Sequence, residues 1–205
     1  MKRWGLQHIG LAAYDYEGTV RFYSEVLEWP IAYQDLVAAP DGTVLMRHVF
    51  FDMGESSYIS FMCPTPEMPR HPDTWATDIN SGLGTLAGAY HFAFRVDSVD
   101  ELEQRQREIR ARGVDVSEIY DHEWCLSIYL RDPANGLLLE FLVMTREFTE
   151  DDTLLKVREQ IGVTIHLAEL FETDPELAAR DAAILGVPAE MMRRRRNADT
   201  APAST

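Results

Sequence analysis

Two stretches of the chain repeat one order of apolar and polar positions. His8-Ile9-Gly10-Leu11-Ala12 begins a short apolar segment, followed by Asp15 and helically spaced Val20, Tyr23, Val26 and Leu27. His91-Phe92-Ala93-Phe94-Arg95-Val96 does the same. Ser98-Val99-Asp100-Glu101 then reads as a capping box, Leu102, Arg105 and Ile109 as helix, and Gly113 as its stop. The two histidines stand 83 residues apart (8 to 91), and Val26 and Ile109 share that offset. Further on, Asp52 to Met62 aligns without gaps on Asp132 to Leu142 at an offset of 80, so one internal loop differs by three residues.

Each unit therefore reads as strand, helix, then about three strands. In the first the later strands are expected near 31–36, 44–52 and 58–62, and in the second near 114–120, 126–131 and 137–144. Asp41-Gly42, Met53-Gly54 and Asn135-Gly136 are the turn signals. Residues 64–87, rich in Pro and Gly, read as a linker between a first module at 1–63 and a second at 88–146. The pattern changes in 147–205. Leu154, Val157, Ile161, Ile165 and Ala168 have helical spacing, and Asp174-Pro175 opens a second helix that Gly186 closes. Residues 197–205, small and polar, read as a disordered tail, and Arg193–Arg196 as a solvated charge run.

Charge narrows the classes of partner. Thirty-four acids against nineteen bases give −15, which counts against a nucleic-acid coat. No apolar run approaches a membrane span, and Met1 to His8 is basic without an apolar stretch behind it, so no signal peptide and a cytoplasmic location are expected. Cys63 and Cys125 belong to no CxxC pair and read as reduced core thiols.

The candidate chemistry lies on the repeat. His8 and His91 open equivalent strands. Glu140 stands between Leu137-Leu138-Leu139 and Phe141-Leu142-Val143, where a carboxylate is costly to bury without compensation. Two imidazoles and one carboxylate make a facial triad suited to Fe(II) or a related divalent ion with open positions.

The chain resembles the vicinal-oxygen-chelate superfamily, which includes glyoxalase I, bleomycin-resistance proteins and extradiol ring-cleaving dioxygenases. The resemblance runs over about residues 4–146. It is carried by His8-Ile9-Gly10-Leu11, by Arg21-Phe22-Tyr23-Ser24-Glu25-Val26-Leu27, by His91 to Val96 and, most specifically, by Ser127 to Phe141. It implies an α+β fold of two paired βαβββ modules forming a metal-binding cleft, here with a C-terminal helical extension. It implies metal ligands at His8, His91 and Glu140, and a homodimer. Glyoxalase I carries a protein ligand on the last strand of both modules, whereas Ser60 stands at the counterpart of Glu140. That departure resembles the dioxygenase branch, as do Tyr129 and His122, which match positions lining its catechol pocket.

The implied activity is ring cleavage of a catechol-like vicinal diol by O₂ at Fe(II), with Mn(II), Zn(II) or Ni(II) as other ions the ligand set accepts. His122 and Tyr129 would support the bound oxygens, and Arg131 or Arg47 would pair with a substrate carboxylate. His71 lies farther upstream of His91 than the family's acid–base histidine, and His48 is a further candidate for the cleft. The alternatives are a metal-dependent lyase, isomerase or epimerase, with His48 or Glu55 as base, and a metal-free binding protein of the resistance kind. The C-terminal helices could pack on the modules, cover the cleft or form an interface.

Overall fold

The computed structural model describes residues 5–69, 75–153, 170 and 173–187. His71, the helical spacing from Leu154 to Ala168, the charge run Arg193–Arg196 and the tail lie outside the described residues. The described chain forms two four-stranded mixed sheets with helices, an α+β architecture of paired βαβββ modules.

The first sheet is built from β1 (His8–Ala12), β2 (Ile31–Ala38), β3 (Val44–Gly54) and β4 (Ser57–Pro64), in the order β1-β4-β3-β2. Between β1 and β2 runs α1 (Tyr16–Arg21), continued by a π-helical turn over Phe22–Val26. Asp15 caps α1 by accepting the Gly18 amide at 2.9 Å, leaving one backbone donor fewer unpaired. The apolar half of the strand alternation faces this helix. Val49, Phe51, Ile59 and Phe61 are buried with Phe22, Tyr23 and Leu27, and the Tyr23 ring lies 4.7 Å from Phe61 and 5.2 Å from Phe51. A short helix, α2 (Ile79–Leu83), belongs to the same compact unit.

The second sheet repeats the plan with β5 (Phe92–Arg95), β6 (Tyr120–Asp121), β7 (Cys125–Arg131) and β8 (Leu138–Met144), ordered β5-β8-β7-β6. Its helix is α3 (Val99–Ala111), whose Leu102, Gln106 and Ile109 are buried at helical spacing. Ser98 caps α3 through the Glu101 amide at 3.2 Å, and Glu101 reaches back to the amide of Asp97 at 3.0 Å. Gly113, at φ +83°, ends it. A last helix, α4 (Pro175–Leu185), runs from its Asp174 cap to Gly186.

The parallel registers repeat as the offsets require: Gly10 pairs with Ser60 in β1–β4 and Ala93 with Glu140 in β5–β8. Across the antiparallel ladders Phe50 faces Ser60 and Tyr129 faces Glu140, one residue off the offset of 80, and β3–β4 carries a register shift between Asp52 and Gly54. One expected strand is mostly missing. Over 114–120 only a Val116–Leu130 bridge and the pair Tyr120–Asp121 form. Side chains take the carbonyls a ladder would use: Gln106 donates to Ser117 O at 2.6 Å, and Arg110 to Val116 O at 2.7 Å and Ser117 O at 2.9 Å. The β7–β8 turn, residues 132–137, is counted with the first compact unit. There buried Asp132 accepts the Tyr23 hydroxyl at 3.1 Å and the Asn135 side-chain amide at 2.8 Å. Both cysteines are buried free thiols.

Candidate functional site

Glu140 is 5% exposed although it carries a carboxyl group, and its neighbours explain how that is sustained. His91, one residue before β5, places Nε2 3.2 Å from Glu140 Oε2. Tyr129, opposite on β7, donates its hydroxyl to Glu140 Oε1 at 3.0 Å. His122 Nε2 lies 2.9 Å from the Tyr129 oxygen. The phenol has one proton and gives it to Glu140, so His122 must donate from Nε2; this fixes its tautomer. Four of the five sequence-derived site residues thus form one chain in the second unit: His122 to Tyr129 to Glu140 to His91.

The electrostatics follow from these contacts. The bond to Glu140 raises the His91 imidazole above its ordinary value; partial burial opposes this, and the Glu140 charge and a bond to the Gly88 backbone add to it. Burial would raise the Glu140 carboxyl, but bonds from His91, Ser127 and Tyr129 outweigh it and hold the group below the ordinary carboxylate value. Burial, and then the Glu140 charge, push the Tyr129 phenol well up, so it stays protonated at neutral pH and acts as a donor.

His8 is in the first unit, at the start of β1. Its Nδ1 is bonded to Gln7 Oε1, an acceptor, so Nδ1 is the donor of that contact. Alternation puts His8 on the strand face turned away from α1. The His8 ring lies 5.6 Å from Phe50, which also meets His48 at 4.5 Å and Tyr33 at 5.9 Å. His48 Nδ1 stands 3.2 Å from Asp35 Oδ1. This aromatic face and the His48–Asp35 pair are not singled out by sequence reasoning, since Asp35 and His48 meet only through the β2–β3 register. Ser60, at the Glu140 position of this sheet, is 1% exposed and donates to Ile9 O at 3.3 Å.

Among the described residues, no group of three His, Cys, Asp or Glu side chains is placed to hold a metal ion. The donors of the second unit nevertheless suit a divalent ion. An imidazole nitrogen and a carboxylate oxygen 3.2 Å apart have the spacing of two neighbouring ligands each about 2.1 Å from one ion. Glu140 also has the hydrogen-bonded backing that ligating carboxylates use. The two arginines offered for a substrate carboxylate have other partners. Arg131 donates to Ile184 O at 2.9 Å and Ala87 O at 3.0 Å, and Arg47 pairs with Glu17 at 3.0 Å beside the Tyr16 ring. Glu55 sits exposed in the β3–β4 turn at φ +50°.

A family model described as the Glyoxalase/Bleomycin resistance protein/Dioxygenase superfamily matches residues 5–141. A glyoxylase/bleomycin resistance protein/dioxygenase domain from Frankia sp. EAN1pec is similar at 16% identity, over 75% of this chain and all of that one, with a TM-score of 0.54. A lactoylglutathione lyase from Agrobacterium tumefaciens is similar at 20% identity over 70% of this chain and 96% of its own, with a TM-score of 0.46. TnmS3, an antibiotic binding protein from Streptomyces sp. CB03234, is similar at 18% identity over 71% and 99%, with a TM-score of 0.47. Likeness at these identities is likeness of fold. No curated protein matches the chain.

Proposed function

The chain belongs to the glyoxalase/bleomycin resistance protein/dioxygenase superfamily, and on that premise we propose that it is an Fe(II)-dependent extradiol-type dioxygenase that opens a catechol-like ring. The superfamily spans lyases, dioxygenases and non-enzymatic resistance proteins, and its members bind divalent metals. The observation that carries the finer reading is the asymmetry between two registers that otherwise repeat: a hydrogen-bonded Glu140 on β8 and a buried, neutral Ser60 on β4. One carboxylate suits a three-ligand site of His8, His91 and Glu140, with positions left for a vicinal diol and O₂.

His91 and Glu140 would hold the ion in the second unit, and His8 would supply the third donor. The bound ion would supply Lewis acidity and a path for electrons between the diol and O₂. The residues of the chain do the rest. Tyr129 holds its proton on Oη, fixes one Glu140 oxygen and leaves the other toward His91. His122 donates its Nε2–H to the Tyr129 oxygen, and the same N–H can hydrogen-bond an anionic substrate oxygen once the imidazole turns toward one. Binding the ion requires the proton between His91 and Glu140 to leave. This reading calls for an aromatic diol and O₂ as reactants, a second copy of the chain as partner, and a cytoplasmic setting. Among the described residues no helix is long and apolar enough to cross a membrane.

The His48–Asp35 pair favours a second reading, a metal-dependent lyase or isomerase, because an imidazole close beside a carboxylate is a candidate base. Oxygen uptake separates the two. Protein purified anaerobically and loaded with Fe(II) is given a panel of catechols. Uptake of O₂ with a yellow ring-fission product is the expected result. Metal-loaded protein that consumes no O₂ with any of them would sink the dioxygenase reading.

A further inference from the structure

Helix α4 lies beyond the family match, which ends at residue 141, yet it is tied to the network around Glu140. Asp181 on α4 is fully buried. Its Oδ2 accepts the Tyr120 hydroxyl at 2.7 Å and the Glu118 amide at 2.9 Å, and its Oδ1 accepts from Arg180 at 2.8 Å. Tyr120 in turn packs with Tyr129, Leu138, Ile184 and Leu185 in one buried cluster, its ring 6.1 Å from that of Tyr129. The same clamp reaches Tyr129 through the backbone. Ser117, next to the bonded Glu118, accepts the Tyr129 amide on its hydroxyl at 2.9 Å and donates its own amide to Tyr129 O at 2.9 Å. Arg131 closes the other end by donating to Ile184 O in the last turn of α4.

We propose that α4 is a working part of the site: Asp181, acting through Tyr120 and the 117–118 backbone, is a positioning residue that sets the Tyr129 hydroxyl against Glu140. A helix needed only for bulk would bury apolar side chains alone, such as the Ala178, Ala182, Ile184 and Leu185 that α4 does bury. Here a carboxylate is buried at a cost that three donors must offset, and two of them belong to the segment that frames Tyr129. The aromatic ring of Tyr129 has apolar walls from Tyr120, Ile184 and Leu185, so its direction depends on where α4 sits. The consequence for metal binding rests on the function proposed above; the clamp on Tyr129 does not.

The test uses full-length protein labelled with ¹³Cζ-tyrosine, the Tyr129 resonance being assigned with Tyr129→Phe. Spectra are taken without metal, and Mn(II) affinity is measured separately. In Asp181→Asn and in the milder Tyr120→Phe, the Tyr129 resonance is expected to shift or broaden. Mn(II) affinity is expected to fall about three- to tenfold, while circular dichroism stays native. Glu176→Gln, on the exposed first turn of α4, is expected to change neither. If Asp181→Asn does not fold, Tyr120→Phe decides alone. Folded variants with the Tyr129 resonance at the parent position would overturn the proposal. A parent protein that binds no Mn(II) or Fe(II) would overturn the function proposed above, and the metal-free resonance would still decide this one.

Discussion

At Glu140 a single carboxylate meets three kinds of donor, and its two oxygens have different tasks. Oε1 takes the Tyr129 hydroxyl, and Oε2 faces His91. Tyr129→Phe keeps the ring and removes the proton, leaving Glu140 Oε1 and His122 Nε2 without that partner. It should cost about 1–3 kcal/mol of stability, read as a drop in denaturant midpoint at constant m-value. The pH dependence follows from the two opposite shifts. The raised His91 value means its contribution is full below the unfolded value near 6.5 and is lost as pH rises through the folded one. The lowered Glu140 value means its contribution is present above the ordinary value near 4.5 and is lost as pH falls through the folded one. In protein stripped of metal, the melting temperature difference between parent and Glu140→Gln should therefore be largest between about pH 4.5 and 6.5. A difference that kept growing toward pH 8 would contradict the pair. The chemistry of Glu140 is legible in the sequence because a carboxylate interrupts an apolar run. Asp181 left a similar signal, an acid between Ala178 and Leu185 on an apolar stripe, but its partners Glu118 and Tyr120 lie about sixty residues away and no periodicity connects them.

The elements were legible where local chemistry and tertiary packing agree. Ser98 and Glu101 form the expected start of α3, and Asp174, Pro175 and Gly186 bound α4 as their types require. They were not legible over 114–120, where the alternation suits a strand but Gln106, Arg110 and Asp181 hold the backbone from two helices. The β7–β8 turn shows how much one side chain can organise. Asp132 accepts the amides of Ala134 and Asn135, the Asn135 side chain and the Tyr23 hydroxyl, while burial pushes its carboxyl up in spite of them. Asp132→Ala removes the acceptor these donors share, leaving Asn135 Nδ2 only Thr19 Oγ1, and should cost about 3 kcal/mol or more, lowering the melting temperature by several degrees in calorimetry. A loss under 1 kcal/mol would mean that the turn is set by Gly136 instead, which holds φ +74°.

At the scale of the molecule, the duplication is what made the site readable. Offsets of 83 and 80 place Gly10 and Ala93, and Ser60 and Glu140, at matching register positions, and both sheets keep those pairs; across the antiparallel ladders the match slips by one, Phe50 and Tyr129 standing 79 apart. What the repeat cannot carry is whatever breaks it: the His48–Asp35 pair of the first sheet and the α4 clamp of the second. The charge of −15 says little about the site, whose behaviour depends on a few close pairs. Because His91 is bonded to Glu140, metal uptake must displace a proton, so affinity should fall as pH drops below the raised His91 value; titrations of Mn(II) from pH 5.5 to 8 measure this. The central proposal is that His91 and Glu140 hold a divalent ion, and elemental analysis of anaerobically purified parent and His91→Ala protein tests it most directly. The account predicts about one Fe(II)-type ion per chain in the parent and none in the folded variant. Equal metal content in the two would contradict it.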